Sequence, residues 1–387
     1  MWGSKYFSYR KFRRKADRDG HLDAVLSGLE MLFRKKISPP VIKHLINKGT
    51  LPVTVETAEL TNSDFCEFHS TPWCEDRLKV VNVGSGYVLP NSGIALNDDL
   101  SILNEITGAS RRFTVSKFNR QLFFDHRKLS EAILRSRPDK LESDTIPLET
   151  AAPLIPHYND NYFHWMIETV PKIRFLREYE AKEDADITYI VPADAPSWLD
   201  QSLELLDVPK PKIERASAPV CSVDNLILAP FPLKSAHDYE WIRSTVLRNC
   251  SPDTSDIDVG SNIYISRSNA IGRRVTNEAE VMETLSKYGF KRYNLENLTV
   301  EQNVVLFNNA NFVAGAHGAG LTDIIFCDDA SVIEFFGKKV HDPYEHLSNI
   351  MGLKYEPILC EPDATDILVD TDRLETKIES LLDTSSE

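Results

Sequence analysis

Apolar positions change their spacing twice along the chain, and the changes outline its organisation. Between residues 21 and 48, Leu22, Val25, Leu26, Leu29, Leu32 and Phe33 fall at helical spacing, and Pro39-Pro40 stops the run. From about residue 50 to 125 short β-type runs take over, such as Leu51–Val55, Lys79–Val83 and Tyr87–Leu89, broken by turn-prone Gly and Pro-Asn-Ser-Gly stretches. From about residue 150 strands and helices alternate. Ile187–Val191 predicts a strand, Trp198–Leu206 a helix and Asn225–Leu228 a strand, with a helical segment near Tyr239–Arg248. The polar stretch 251–258 reads as a linker or long surface loop. Beyond it, strands at Asn262–Ser266, Phe312–Ala316 and Val332–Phe336 enclose two helices. One is Asn277–Tyr288, with Asn277 and Glu280 at capping-box spacing and Gly289 closing it. The other is Thr299–Ala310, with Thr299 and Gln302 in the same relation. Such alternation predicts an α/β fold with a parallel sheet covered on both faces. Residues 364–382 predict a polar amphipathic helix.

Charge separates the N-terminal arm from the rest. Residues 1–48 carry 12 Lys and Arg against 4 Asp and Glu, while the remainder carries 32 against 54. An acidic body argues against nucleic acid as a partner, since phosphate is repelled by it. In residues 1–20 the basic side chains alternate with Trp2, Tyr6, Phe7, Tyr9 and Phe12, a composition suited to an anionic membrane surface. The first residues show no apolar core of the ~7–15 residues that a secretory leader needs. The six cysteines are widely and irregularly spaced, as free thiols in a reducing compartment would be. The expected location is cytoplasmic, peripheral to the inner face of the membrane.

Three motifs carry candidate chemistry. In Ala314-Gly-Ala-His-Gly-Ala-Gly-Leu321 an apolar strand runs into small residues and then into a predicted helix. Small residues let backbone N–H groups approach an anion, as a pyrophosphate requires, and His317 adds a donor for phosphate or ribose. Neither a Rossmann fingerprint nor a P-loop is present. In Ile265-Ser-Arg through Asn277-Glu278, Arg267 stands at the carboxyl end of a strand, where open α/β sheets bind ligands. Arg274 precedes the next helix and is placed to reach the same anion, while Arg273 reads as a surface charge. In His157–Glu168, Asn159, Asp160 and Asn161 are candidate helix caps, and His164 and Glu168 share a helical face beside Trp165. A His/Glu pair of this kind suits acid/base work on a sugar hydroxyl. Pro171 should kink or restart the helix. Asp184-Ala-Asp186, Asp256-Ile-Asp258 and Asp328-Asp329 are badly placed for holding a metal, so neither a metal nor another cofactor is expected.

Together these segments resemble glycosyltransferase family 61. The resemblance rests on Tyr-Phe-His-Trp-Met-Ile-Glu (162–168), Ile-Ser-Arg (265–267), Arg-Arg-Val-Thr-Asn-Glu (273–278), Leu-Thr-Val-Glu-Gln (298–302), His-Gly-Ala-Gly-Leu-Thr (317–322) and Val-Ile-Glu (332–334), and covers about residues 80–340. It implies a GT-B architecture, two Rossmann-like domains facing across a cleft, here preceded by a helical N-terminal arm. The expected division is an acceptor-side domain over 51–250 and a nucleotide-sugar-binding domain over 251–350, with an arm over 1–50 and a tail helix over 351–387 that lie outside the resemblance. The implied activity is metal-independent, inverting transfer from a nucleotide-sugar donor to a glycan, lipid-linked or protein-linked hydroxyl, in cell-surface polysaccharide or glycoprotein assembly. Carried onto this sequence, Arg267, Arg274, His317, Gly318, Ala319 and Gly320 would hold the diphosphate. Asn277 and Glu278 would support that loop, and Glu334 would meet the ribose. Glu168, ahead of His164, is the expected base, with Asp160 and Trp165 on the acceptor side. Asp323 departs from the Asn that the family often has there. Two other readings stay open: a nucleotide-sugar-binding protein without turnover, and a polysaccharide pyruvyl transferase.

Overall fold

A computed structural model describes residues 65–67, 79–90, 93–98, 145–156, 161–218, 220–232, 234–251, 259–338 and 340–383. The arm, its helix at 21–48, the strand at Leu51–Val55, the linker at 252–258 and Asp160 lie outside the described residues. The chain divides into two compact units. The first comprises the described residues up to 156 together with Phe175–Asp194 and Ile213–Phe231; the second comprises residues 161–174, Ala195–Lys212 and the described residues from Pro232 onward.

The first unit holds a mixed eight-stranded sheet. Its strands are β1 (Phe65–Glu67), β2 (Lys79–Asn82), β3 (Gly86–Leu89), β4 (Ile94–Asn97), β5 (Thr145–Pro153), β6 (Thr188–Pro192), β7 (Ile213–Ala216) and β8 (Val220–Leu228). The run β8-β5-β6-β7 is parallel, with β5 and β8 registered Thr145 to Val220. Strands β2 and β3 join β8 antiparallel, and β3 and β4 form a hairpin around left-handed Gly93. Val88, Ala151, Ile190, Val223 and Leu226 fill its core.

The second unit is built on five parallel strands: β9 (Asn262–Ile265), β10 (Phe290–Tyr293), β11 (Phe312–Ala316), β12 (Ser331–Phe336) and β13 (Lys354–Leu359). A small antiparallel pair, β14 (Glu361–Asp363) and β15 (Asp366–Leu368), follows. Every residue of β11 and β12 is buried, as expected of central parallel strands covered on both faces. The order is β10-β9-β11-β12-β13. The connections therefore leave β9 and β11 in opposite directions. Between their carboxyl ends lies the crevice where open α/β sheets receive ligands.

The helices of this unit are, in chain order, α1 (Tyr162–Glu168), the start of α2 (Val170–Glu183), α3 (Ser197–Leu205), α4 (Ala236–Asn249), α5 (Glu278–Ser286), α6 (Val300–Asn308), α7 (Pro343–Met351) and α8 (Thr371–Asp383). Pro171 restarts the helix, because α1 ends at Glu168 and Pro171 sits in the first turn of α2. The Thr299/Gln302 capping box forms on α6. The box expected on α5 does not, because the Asn277 amide reaches instead to the backbone of Val369, donating to its carbonyl at 2.8 Å and accepting from its N–H at 3.0 Å. That clasp helps hold the tail segment, whose Leu374 and Ile378 on α8 pack fully buried with Val281, Leu285 and Phe335. The segment after His317 is a 3-10 helix, Ala319–Phe326, and not an α-helix. Among the described residues no helix is long and apolar enough to cross a membrane.

Candidate functional site

At the crevice predicted by the strand order, the second unit contains a cavity of about 440 Å³. Arg267, just beyond β9, lines it together with Ala319 and Gly320, which follow β11; Tyr162, Trp198 and Asp323 form other parts of the wall. The sequence gives each strand end its character. A side chain at Gly318 would place its Cβ 2.1 Å from Arg267 Nη1, so glycine is what allows the guanidinium to lie against this turn. Gly320 makes similar room for Leu295 and Ile265. Arg267 donates to the Gly272 carbonyl at 3.2 Å, and among the described residues its buried Nε has no hydrogen-bond partner. Burial and the nearby Arg273 lower its pKa, yet a guanidinium remains charged. Among the described residues no carboxylate forms an ion pair with it, though the Glu296 charge acts on it; guanidinium groups suit anionic oxygens. At the adjacent turn, the first N–H groups of the 3-10 helix have no acceptor within the helix.

Glu278 stands behind this edge. It accepts from Ser266 Oγ at 2.6 Å and from Tyr264 at 3.1 Å, and so fixes the residue next to Arg267. Arg274, expected from the sequence at the diphosphate, is bound elsewhere: its Nε and Nη2 meet Asp366 Oδ2 at 3.0 and 2.6 Å. Its guanidinium thus closes the turn before α5 and does not line the cavity.

Glu334, expected at the ribose, is also placed differently. It is fully buried, with Oε1 2.5 Å from His317 Nδ1 and Oε2 accepting from Tyr355 at 2.5 Å. Strand β12 carries it directly beside Gly315 of β11, so its carboxylate orients His317 from within the sheet. The His317 ring stacks on Phe336 and neighbours His341 and Tyr344.

The second cluster gathers on α1. Asn161 caps this helix, accepting from Phe163 N–H at 3.0 Å. One turn apart, His164 Nδ1 and Glu168 Oε2 meet at 2.6 Å, and Lys234 Nζ donates to Glu168 Oε1 at 2.7 Å. Burial pushes the Glu168 carboxyl up, but the bonds from His164 and Lys234 outweigh it and hold the group below the ordinary carboxylate value. Lys172, a turn further on, is pushed down to about 8 by burial, with Glu168 acting in the opposite direction. Lys234 occupies a left-handed backbone conformation, φ 57°, rare for a side chain of this kind and common where a site fixes it. Its ammonium also lies 5.6 Å from the centre of the Phe163 ring. No sequence signal marks Lys234, since a lone lysine in a Pro-containing loop reads as a surface charge.

Trp165, expected on the acceptor side, is a core residue. It has no exposed surface, and its indole N–H donates to Ser202 Oγ at 2.7 Å. The aromatics that do reach the cavity are Tyr162 and Trp198, the latter on α3, with the Tyr162 ring edge-on to it. Tyr162 also donates to Asp323 Oδ1 at 2.8 Å. Burial raises Asp323 to about 7 against the effect of that bond, and burial together with the Asp323 charge raises Tyr162 well above its usual value. The sequence places these two residues 161 positions apart, with nothing to pair them.

Comparison with known proteins agrees with the motifs. The model of the family Glycosyltransferase 61 matches residues 162–333, so the resemblance to that family holds over this stretch. Over 96 residues the chain is 30% identical to the EGF domain-specific O-linked N-acetylglucosamine transferase of Drosophila melanogaster. That match spans 24% of this chain and 18% of the fly protein.

Proposed function

We propose that this chain, which resembles the family Glycosyltransferase 61 over residues 162–333, is an inverting glycosyltransferase of GT-B type. Its donor is a nucleotide sugar, and its acceptor is a glycan, lipid-linked or protein-linked hydroxyl. The observation that supports the reading is the cavity at the carboxyl ends of β9 and β11, with the Arg267 guanidinium at its edge. A diphosphate there would meet the guanidinium and the N–H groups at the start of the 3-10 helix. These are donors suited to the charge that grows on a leaving nucleoside diphosphate.

For the base, the geometry favours His164 over Glu168. Both Glu168 oxygens are occupied, and its depressed pKa makes it a weak proton acceptor. An imidazole that gives its Nδ1 proton to a carboxylate accepts a new proton at Nε2. Of the pair His164 is also the more exposed, 22% against 12%. In the proposed reaction the acceptor oxygen bonds to the anomeric carbon as the bond to the diphosphate breaks. His164 takes the hydroxyl proton, and Glu168, held by Lys234, orients and steadies the imidazolium. The basic arm at 1–20 would hold the enzyme at an anionic membrane face.

The test is a thermal-shift and calorimetric screen of nucleotide sugars, followed by turnover with the donor that binds. A ligand at 100 times its Kd adds about 2.7 kcal/mol of stability. No stabilisation by any nucleotide sugar would sink the reading; binding without hydrolysis or transfer would leave a binding protein. Arg267→Ala should weaken donor binding about 10- to 100-fold, because charge-assisted hydrogen bonds contribute roughly 1.5–3 kcal/mol each. Gly318→Ala should weaken it as well, by displacing the same guanidinium, with little effect on the melting temperature. Unchanged calorimetric affinity in both variants would make Arg267 a bystander. Activity should survive EDTA, since arginine and backbone donors can carry the diphosphate charge. Loss of turnover that Mn²⁺ or Mg²⁺ restores is the contrary result.

A further inference from the structure

The side chain left unassigned by the donor reading is Asp323. Only 1% of it is exposed, yet it belongs to the cavity wall. A carboxyl so deep is rarely placed against apolar neighbours without a use, because burying its charge is costly. One oxygen accepts from Tyr162. The rest of the wall has the makings of a sugar subsite: the Trp198 ring offers an apolar face, and Gln201 stands one turn further along α3. Sugars expose C–H faces to aromatics and hydroxyl donors to carboxylates, a pairing of few polar groups with an apolar wall that is usual in small-molecule sites.

We propose that Asp323 is a specificity-determining residue of this cavity, accepting a hydrogen bond from a sugar hydroxyl of the bound nucleotide sugar. The proposal rests on the donor reading above. The hydroxyl belongs either to the ribose or to the transferred sugar, and both offer the same chemistry. Tyr162 fixes the carboxylate so that its second oxygen serves the ligand. A ligand lacking the hydroxyl leaves a buried acceptor unpaired, the situation in which polar sites discriminate most strongly.

Asp323→Asn is the informative variant, because the asparagine Oδ1 can still accept from Tyr162 while the charge is lost. Binding should be measured by calorimetry at pH 8, where the wild-type carboxyl is ionised. The ligands are inorganic pyrophosphate, UDP, GDP, UDP-N-acetylglucosamine and GDP-mannose. The expected result is a loss of about 10-fold or more for ligands bearing the hydroxyl, with pyrophosphate affinity unchanged. Loss already seen with a nucleoside diphosphate assigns the ribose; loss confined to a nucleotide sugar assigns the transferred sugar. Parental affinity for every ligand, or an equal loss on pyrophosphate, overturns the role of Asp323 while the donor site stands. A wild-type protein that binds none of the five overturns the donor reading and this proposal together. Tyr162→Phe supplies a second check: it should weaken the same ligands and spare pyrophosphate, and a variant that spares all of them counts against the fixed carboxylate.

Discussion

Turnover by His164→Ala is expected to fall by about 100-fold or more while donor affinity stays at the parental value. General-base catalysis contributes roughly 10²–10⁴-fold, and that whole contribution leaves with the imidazole. Glu168→Gln should act more weakly, by about 10-fold. The amide can still accept from Nδ1, but it no longer offers a charge to the imidazolium. It also weakens the 2.7 Å contact that Lys234 makes with the Glu168 carboxylate. The order of the two effects is the discriminating result. A larger loss in Glu168→Gln than in His164→Ala, with both variants folded, would return the base to the carboxylate. Parental rates in both would make the cluster a structural brace of α1.

The second large effect is on stability and comes from Asp323. Its folded pKa, about 7, lies above the ordinary 3.8 because burial disfavours the charged form. Between those values the folded protein binds a proton that the unfolded chain has released, so stability falls as pH rises. The cost is absent near pH 4, grows through pH 5 and 6, and is complete above about pH 7. Three pH units correspond to an upper figure of roughly 4 kcal/mol, so Asp323→Asn should stabilise the protein by on the order of 2–4 kcal/mol at pH 8. At pH 4 the same variant should be neutral or slightly destabilising. Denaturant midpoints at the two pH values provide the measurement; equal differences at both would mean that the carboxyl is not held neutral by burial. A stability cost of this size, tolerated at a cavity wall, is what a functional group at that position would be expected to carry.

Several strands and helices of the second unit were legible from local pattern, but β10, β13 and α7 were not, and β15 lies inside the stretch expected to begin the tail helix. The buried strands are continuous apolar runs, the Thr299/Gln302 box announces α6, and Gly289 ends α5 through its left-handed backbone. His164 and Glu168 were legible as a pair because four residues on a helix share a face. What local pattern misses is choice among partners. Arg274 and Arg267 look alike in sequence, but Asp366, 92 residues further on, captures the first and leaves the second for the cavity. Asn277 is a good cap by type, but its amide is worth more at Val369. Glu334 was expected at a strand end like a ribose ligand, but it lies inside β12, where strand register sets it beside His317. Lys234 and Trp198 come from segments with no motif, and their roles arise only when the chain is folded.

The walls of the cavity are drawn from distant parts of the chain, and this bears on how the protein can be made. Tyr162 and Trp198 precede Arg267 and Asp323 by long intervals, with much of the first unit's sheet encoded between them. At roughly 5–20 residues per second on the ribosome, the Asp323 partner of Tyr162 emerges about 8–32 seconds after it. During that interval the 3-10 helix Ala319–Phe326, against which α1 packs in the folded protein, has not been synthesised. The cavity of the second unit is therefore complete only once residues on both sides of the inserted strands have been synthesised, so its assembly waits on long-range contacts.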